Sequence, residues 1–173
     1  MQPALGDRYT KAQVDAAIAA ASPKLLTVTI PAGGAPSTTS MTYAPIPDTT
    51  LDVVVPPGGS WRALITLSGE TQCVQSPSAS VFCFVQAVVD PGAAVTCTDP
   101  LPLGCASPGK VVFDSVQHGP NSTDDSSWGS HSQEWTHVLT PGPHTIEMQW
   151  RVDETAAEFS LDARTLSVQL YPA

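Results

Sequence analysis

Two stretches near the C-terminus decide the fold: Pro141-Gly142-Pro143-His144-Thr145-Ile146-Glu147-Met148-Gln149-Trp150-Arg151 and, after a polar turn, Arg164-Thr165-Leu166-Ser167-Val168-Gln169-Leu170-Tyr171. In the first, Ile146, Met148 and Trp150 share one side, with His144 at its entrance, while Thr145, Glu147, Gln149 and Arg151 share the other. In the second, Leu166, Val168 and Leu170 alternate with Thr165, Ser167 and Gln169. Successive side chains of a strand point to opposite faces, so this period of two predicts half-buried antiparallel strands. Lying side by side, they would close a β-sandwich.

The same pattern runs back along the chain. Leu25–Ile30, Met41–Ile46, Leu51–Val55, Trp61–Leu67, Val81–Val89, Lys110–Val116 and Ser132–Leu139 read as strands, with a brief continuation over Ala94–Cys97. Pro45 and Pro47 limit Met41–Ile46 to a short edge strand. Val81–Val89 is apolar on both faces, which places it centrally or at a subunit interface. Loops are read at 31–40, at 71–80 and at 98–108. About nine strands at regular spacing predict an all-β, two-sheet jelly-roll β-sandwich.

Composition agrees. The 173 residues include 17 Pro and 12 Gly, and the length suits one domain with an appendage. Seven Lys+Arg against 16 Asp+Glu give a net charge of -9. Nucleic-acid binding needs clustered cations to neutralise phosphates, so no nucleic-acid partner is expected. No run is long and apolar enough for membrane insertion. No basic segment followed by an apolar core marks a signal peptide.

Before the sandwich, Asp7–Ala21 reads as helical. Thr10 with Gln13 forms a capping box, and Tyr9 with Val14 a hydrophobic staple. Ser22-Pro23 stops it. Val14, Ile18 and Ala21 form a narrow stripe with Ala17 beside it. A helix this short is marginal alone. It either packs on its own domain or bundles about a symmetry axis. The domain division is therefore a helical anchor or trimerisation segment over 1–24 and a sandwich over 25–173.

The four cysteines are Cys73, Cys83, Cys97 and Cys105. They lack the close pairing of zinc ligands. Their gaps suit two local disulfides, Cys73–Cys83 and Cys97–Cys105. Three pairings are arithmetically open, as are four free thiols. Disulfides imply an oxidising medium.

The longest polar stretch, Gln117–Ser130, cannot build a core and is the candidate ligand loop. His118, Asn121, Asp124, Asp125, Trp128 and His131 are its candidate ligand-contacting residues. An indole among polar neighbours suits stacking on a sugar ring. Trp128 folded back as a loop anchor is the plainer alternative, and Trp61 and Trp150 fit the core. His131 and His137, six residues apart on one strand, are ~20 Å distant and cannot share a metal within it. Asp124-Asp125 with Asp114 or Asp99 offers oxygen ligands for calcium, without the loop motif that would sharpen it. Asn121-Ser122-Thr123 is a glycosylation sequon. No Gly-x-Ser-x-Gly elbow frames a nucleophile. Glu134, Glu147, Asp153, Glu154 and Glu158 fall at outward positions or in a turn, where they serve solubility rather than a paired-carboxylate hydrolase. No cofactor, metal or enzymatic activity is expected.

The C-terminal pattern His144–Val152 plus Ala163–Pro172 resembles the end of small jelly-roll domains on bacteriophage virions, distant relatives of tumour-necrosis-factor-like trimers. Asp7–Ile18 resembles the Tyr-Thr-Lys-x-x-Val-Asp segments of phage tail and fibre proteins. These resemblances imply a homotrimeric, non-enzymatic virion surface protein, extracellular after host lysis. Head decoration and tail-tip locations both fit. Its partners would be capsid or tail proteins and host cell-surface glycans. A secreted carbohydrate-binding module of a bacterial enzyme is the alternative.

Overall fold

The computed structural model describes residues 10–75, 81–90, 93–95, 105–107, 110–116 and 128–173. Among them α1 (Lys11–Ala21) precedes eleven strands. These are β1 (Lys24–Ile30), β2 (Ser37–Thr38), β3 (Ala44–Val55), β4 (Trp61–Gln75), β5 (Val81–Val89) and β6 (Ala93–Ala94). They continue as β7 (Cys105–Ser107), β8 (Lys110–Val116), β9 (Gly129–Leu139), β10 (Gly142–Val152) and β11 (Ala157–Pro172).

The strands form two antiparallel sheets. Sheet A runs β1-β11-β4-β9, with β2 also on β11, and sheet B runs β3-β10-β5-β8-β7, with β6 also on β5. Short β2, β6 and β7 aside, eight main strands remain. The first pairs with the eighth, the second with the seventh, the third with the sixth and the fourth with the fifth. That nesting is an antiparallel ribbon rolled up on itself, so the expected jelly roll is observed.

Alternation dictates the core. Ala63, Ile65 and Leu67 of β4, Leu166, Val168 and Leu170 of β11, and Ile146, Met148 and Trp150 of β10 are all buried. Phe159 stacks obliquely on Trp150, with ring centroids 5.5 Å apart. Trp135 and Trp61 are buried too. The doubly apolar β5 lies centrally, between β10 and β8. Arg151 covers its outward Phe84, with the guanidinium carbon 4.2 Å from the ring centroid.

The two C-terminal strands are not neighbours: β10 lies in sheet B and β11 in sheet A. Both alternate because each buries one face against the opposite sheet. Residues 31–40 are not all loop, because Ser37 pairs with Ser160 and Thr38 with Phe159. Thr71–Gln75 is strand, since β4 continues along Ala157–Leu161 of β11. Its apparently polar sequence still alternates, with Thr71 and Cys73 inward and buried. Met41–Ile46 and Leu51–Val55 are not separate strands. β3 runs unbroken from Ala44 to Val55, leaving Met41–Tyr43 outside it, and because it is an edge strand Pro45 faces no missing ladder partner. A register shift at Glu147/Gln149 absorbs Pro47 and Asp48, whose φ is 61°. Thr49 Oγ1 donates to the Ile46 carbonyl at 2.8 Å across this irregularity. Gly129 and Ser130 belong to β9, not to the preceding loop.

The helix starts later than Asp7, at Lys11, because Thr10 is the extended N-cap, with φ -66° and ψ 156°. The Thr10/Gln13 capping box forms as expected, with the Thr10 N–H donating to Gln13 Oε1 at 2.8 Å. Tyr9 and the Ala21 side chain lie outside the described residues. Val14 and Ile18 remain exposed, Ile18 at 61%. No helix among the described residues is long and apolar enough to cross a membrane.

Candidate functional site

The strand register defines two ends of the sandwich. Lys24 follows the helix directly and pairs with Leu170, while Trp61 pairs with Pro172 and with Leu139. This is the helix-bearing end. Ile30, Arg164, Gly69 and His131 meet ~20 Å along β1, at its far end, where β1 stops while β4 and β11 run on to Gln75 and Ala157.

An open groove of about 450 Å³ lies at that far end. Ser68-Gly69-Glu70 form its floor, Ser130-His131-Ser132 one side, and Thr29-Ile30-Pro31 with Ala163-Arg164-Thr165 the other. Across the outer face, Thr29 pairs with Thr165, Thr165 with Ser68, and Ser68 with Ser132. Four hydroxyl residues thus cross four strands in one row. Thr165 and Thr29 hydroxyls are 3.3 Å apart. Glu70 and Ser130 are opposite each other in the adjoining row.

A bulge shapes the groove. Gly69 faces Arg164 and Thr71 faces Leu161, so β11 carries an extra residue there. A Cβ on Gly69 would lie 2.8 Å from Leu161 Cδ1 and 3.3 Å from Arg164 Cβ. Glycine permits this close approach. Asp162, pushed outward by the bulge, accepts the Gly33 N–H at 3.1 Å and ties down the β1–β2 loop.

Arg164 points inward and is buried. It donates from Nη2 to the Pro47 carbonyl at 2.9 Å and from Nη1 to the Leu161 carbonyl at 3.4 Å. Burial holds its pKa below the ordinary arginine value, and the Asp48 and Asp162 carboxylates partly offset this. Its charge therefore staples β11 to β3 rather than serving the groove. The sequence signal for it was available: Arg164 sits in phase with Leu166, Val168 and Leu170.

The expected site residues scatter. Cys73 and Cys83 are joined, closing a separation of 10 residues at the groove-bearing end. The Cys97–Cys105 pairing lies outside the described residues, although the backbone of Cys105 begins β7. His118, Asn121, Asp124 and Asp125 also lie outside them. Trp128 is 46% exposed and immediately precedes β9; Ser130 lines the groove and Trp128 does not. His131 lies against Phe113, ring centroids 6.0 Å apart, with Nε2 3.8 Å from Asp114 Oδ1.

Two His–Asp pairs invite a catalytic reading, and neither geometry supports it. Beside His131, the Thr71 hydroxyl donates to Asp114 Oδ2 at 2.8 Å rather than to the imidazole, and Thr71 is fully buried. A nucleophile must contact its base and be reachable by substrate. At the helix-bearing end, His144 Nδ1 is 2.9 Å from Asp90 Oδ2, and its Nε2 is 2.8 Å from the Thr140 carbonyl. Both ring nitrogens are thus occupied by acceptors. Burial pulls the His144 pKa down, but the bond to Asp90, the Thr140 carbonyl and the Asp90 charge outweigh it, leaving it raised. The bonds from His144 and the Thr145 N–H hold the Asp90 pKa low. Among the described residues no three His, Cys, Asp or Glu side chains gather as a metal site.

No protein-family model matches the chain. No curated protein matches it significantly. A solved family two carbohydrate esterase from Cellvibrio japonicus matches 88% of this chain and 36% of its own, at 15% identity and a TM-score of 0.27. This chain thus spans about a third of that protein's length.

Proposed function

We propose that this chain is a non-enzymatic structural protein displayed on the surface of a bacteriophage particle, as a homotrimer attached through its helix-bearing end. The observation that carries the reading is where the exposed apolar side chains lie. Of seven exposed large hydrophobics among the described residues, Val14, Ile18, Leu25, Val54 and Val138 belong to the helix or to the strand ends next to it. Exposed apolar side chains gathered at one end mark an association surface. On sheet A, the outward residues there include Leu25 and, on neighbouring strands, Leu64, Tyr171 and Val138.

The helix points the same way. Its cap is complete, yet Val14 and Ile18 are left uncovered. A helix of 11 residues gains most of its stability from a partner. Three copies about an axis would supply one, and capsid or tail proteins the rest. The Cys73–Cys83 disulfide suits an extracellular particle. The test is light scattering of the full chain at micromolar concentration. A trimer mass is expected, and a monomer mass overturns the reading. Particles purified from a producing phage should also contain the chain.

A further inference from the structure

We propose that the groove at the far end of β1 on sheet A binds a neutral, hydroxyl-rich saccharide, with Trp128 stacking on the sugar ring and Glu70 accepting its hydroxyls. The proposal rests on the display reading only for which end faces outward.

The chemistry of the groove selects the ligand. Ser68, Ser132, Thr29 and Thr165 form a row of hydroxyls, each able to donate and accept. Glu70 and Ser130 flank that row, and an ionised carboxylate is an acceptor only. A ligand must therefore donate hydrogens to Glu70 while exchanging them with hydroxyls, as a sugar does. An anionic ligand is disfavoured. The one arginine or lysine lining the groove, Arg164, is buried, with Nη2 and Nη1 on the Pro47 and Leu161 carbonyls and Nε buried as well. A sulfate, phosphate or sialate would meet Glu70 with no free countercharge, on a chain of net charge -9.

Trp128 supplies the apolar half. It immediately precedes β9, two residues before Ser130 of the groove lining, and is 46% exposed, whereas Trp61, Trp135 and Trp150 are buried. An indole beside polar acceptors matches the two sides of a pyranose, an apolar face and a polar edge. Gly69 and the β11 bulge line the groove, and Arg164 and Asp162 tie the bulge to β3 and to the β1–β2 loop.

The experiment titrates ¹⁵N-labelled full-length protein with methyl glycosides of glucose, galactose, mannose and N-acetylglucosamine, with N-acetylneuraminic acid as the anionic comparison. At least one neutral glycoside should shift the amides of Ser68, Glu70, Ser130 and Ser132 and the Trp128 indole. Glu70→Ala should weaken that binding about tenfold or more, as loss of a charged hydrogen-bond partner does. Trp128→Ala should weaken it about tenfold, and Trp128→Phe less. Unchanged thermal midpoints show that the variants fold. The proposal is overturned if no neutral glycoside moves these amides, if the sialic acid binds as well, or if Glu70→Ala leaves binding intact. It is also overturned if the amides respond to protein dilution instead, since the groove would then be a contact between copies. Sugar binding by a monomeric chain absent from particles would keep this site and sink the display reading, favouring a carbohydrate-binding module.

Discussion

On the outer face of sheet A, Leu25, Leu64, Val138 and Tyr171 stand with Gln169, Thr136 and Arg62 in the rows nearest the helix, whereas Thr29, Thr165, Ser68 and Ser132 make one row of hydroxyls near the far end of β1. The same four strands, β1, β11, β4 and β9, supply both sets. The inward faces are aliphatic and aromatic nearest the helix, and near the groove this run is interrupted by the buried Arg164 and Thr71 before Leu161 and Phe159 resume it. The ends also differ in how they are held. The helix-bearing end uses a His–Asp clasp. The groove-bearing end uses a disulfide, a bulge accommodated by Gly69 and a buried arginine. An end that docks needs exposed apolar surface, and an end that offers a shaped polar groove needs its backbone fixed.

The largest expected effect is on assembly. Deleting residues 1–22 removes Val14 and Ile18 but none of the described strands, since β1 starts at Lys24. The truncated chain should fold with an unchanged thermal midpoint and fall from trimer to monomer in light scattering. It should also fail to enter particles. A truncated trimer would shift the association surface onto the strand ends, and loss of folding would mean that the two ends are not separable.

Next come two changes at the groove-bearing end, both expected to spare assembly. The double substitution Cys73→Ala/Cys83→Ala should cost roughly 2–3 kcal/mol in urea unfolding, the value of a short closed loop. Gly69→Ala should cost about 1–3 kcal/mol, as overpacking does. Its Cβ would otherwise stand 2.8 Å from Leu161 Cδ1. Either Leu161 shifts in the core or the bulge flattens, so Gly69→Ala should also weaken any glycoside binding. A neutral result would show that the bulge is not needed to shape the recess.

How much of this was legible in the sequence follows from what each signal depends on. The jelly roll was, because its alternation is written every two residues and its turns carry Pro and Gly. The Cys73–Cys83 pair was, because the link is local. The partnering of β10 with β3 and β5 rather than with β11 was not, since alternation says which face is buried and not against which neighbour. Thr71–Gln75 reads as loop in one dimension because its Thr and Gln are loop residue types, yet it pairs fully with Ala157–Leu161. The groove was missed for a related reason. Ser68, Glu70, Ser130 and Thr165 are ordinary outward residues in one dimension and converge only through register across three strands. Trp128 stood out on its own because an indole in a polar stretch is conspicuous without any partner.

The smallest expected effect is a pH dependence confined to the helix-bearing end. His144 is largely buried, and protonated imidazolium can donate to both Asp90 and the Thr140 carbonyl, whereas the neutral ring can donate to only one. Its folded pKa is raised. Its contribution is therefore fully present below its unfolded value of about 6.5 and is lost as pH rises through the folded value. Asp90 has the opposite sign. Its pKa is lowered, so its contribution is present above the unfolded value and lost as pH falls through the folded one. The clasp is strongest between those limits, in mildly acidic solution. His137 and Asp52 also stand near it, the first acting on the Asp90 charge and the second accepting the Thr145 hydroxyl at 3.0 Å. Asp90 is half exposed, so water screens the pair and the swing should be about 1 kcal/mol or less. The difference in thermal midpoint between the parent and His144→Gln should shrink as pH is raised from about 5 to about 8. Asp90→Asn should show the same shrinkage, because it removes the other half of the pair. A difference that grows with pH would mean that His144 is held neutral, and that the clasp is an uncharged hydrogen bond rather than an ion pair.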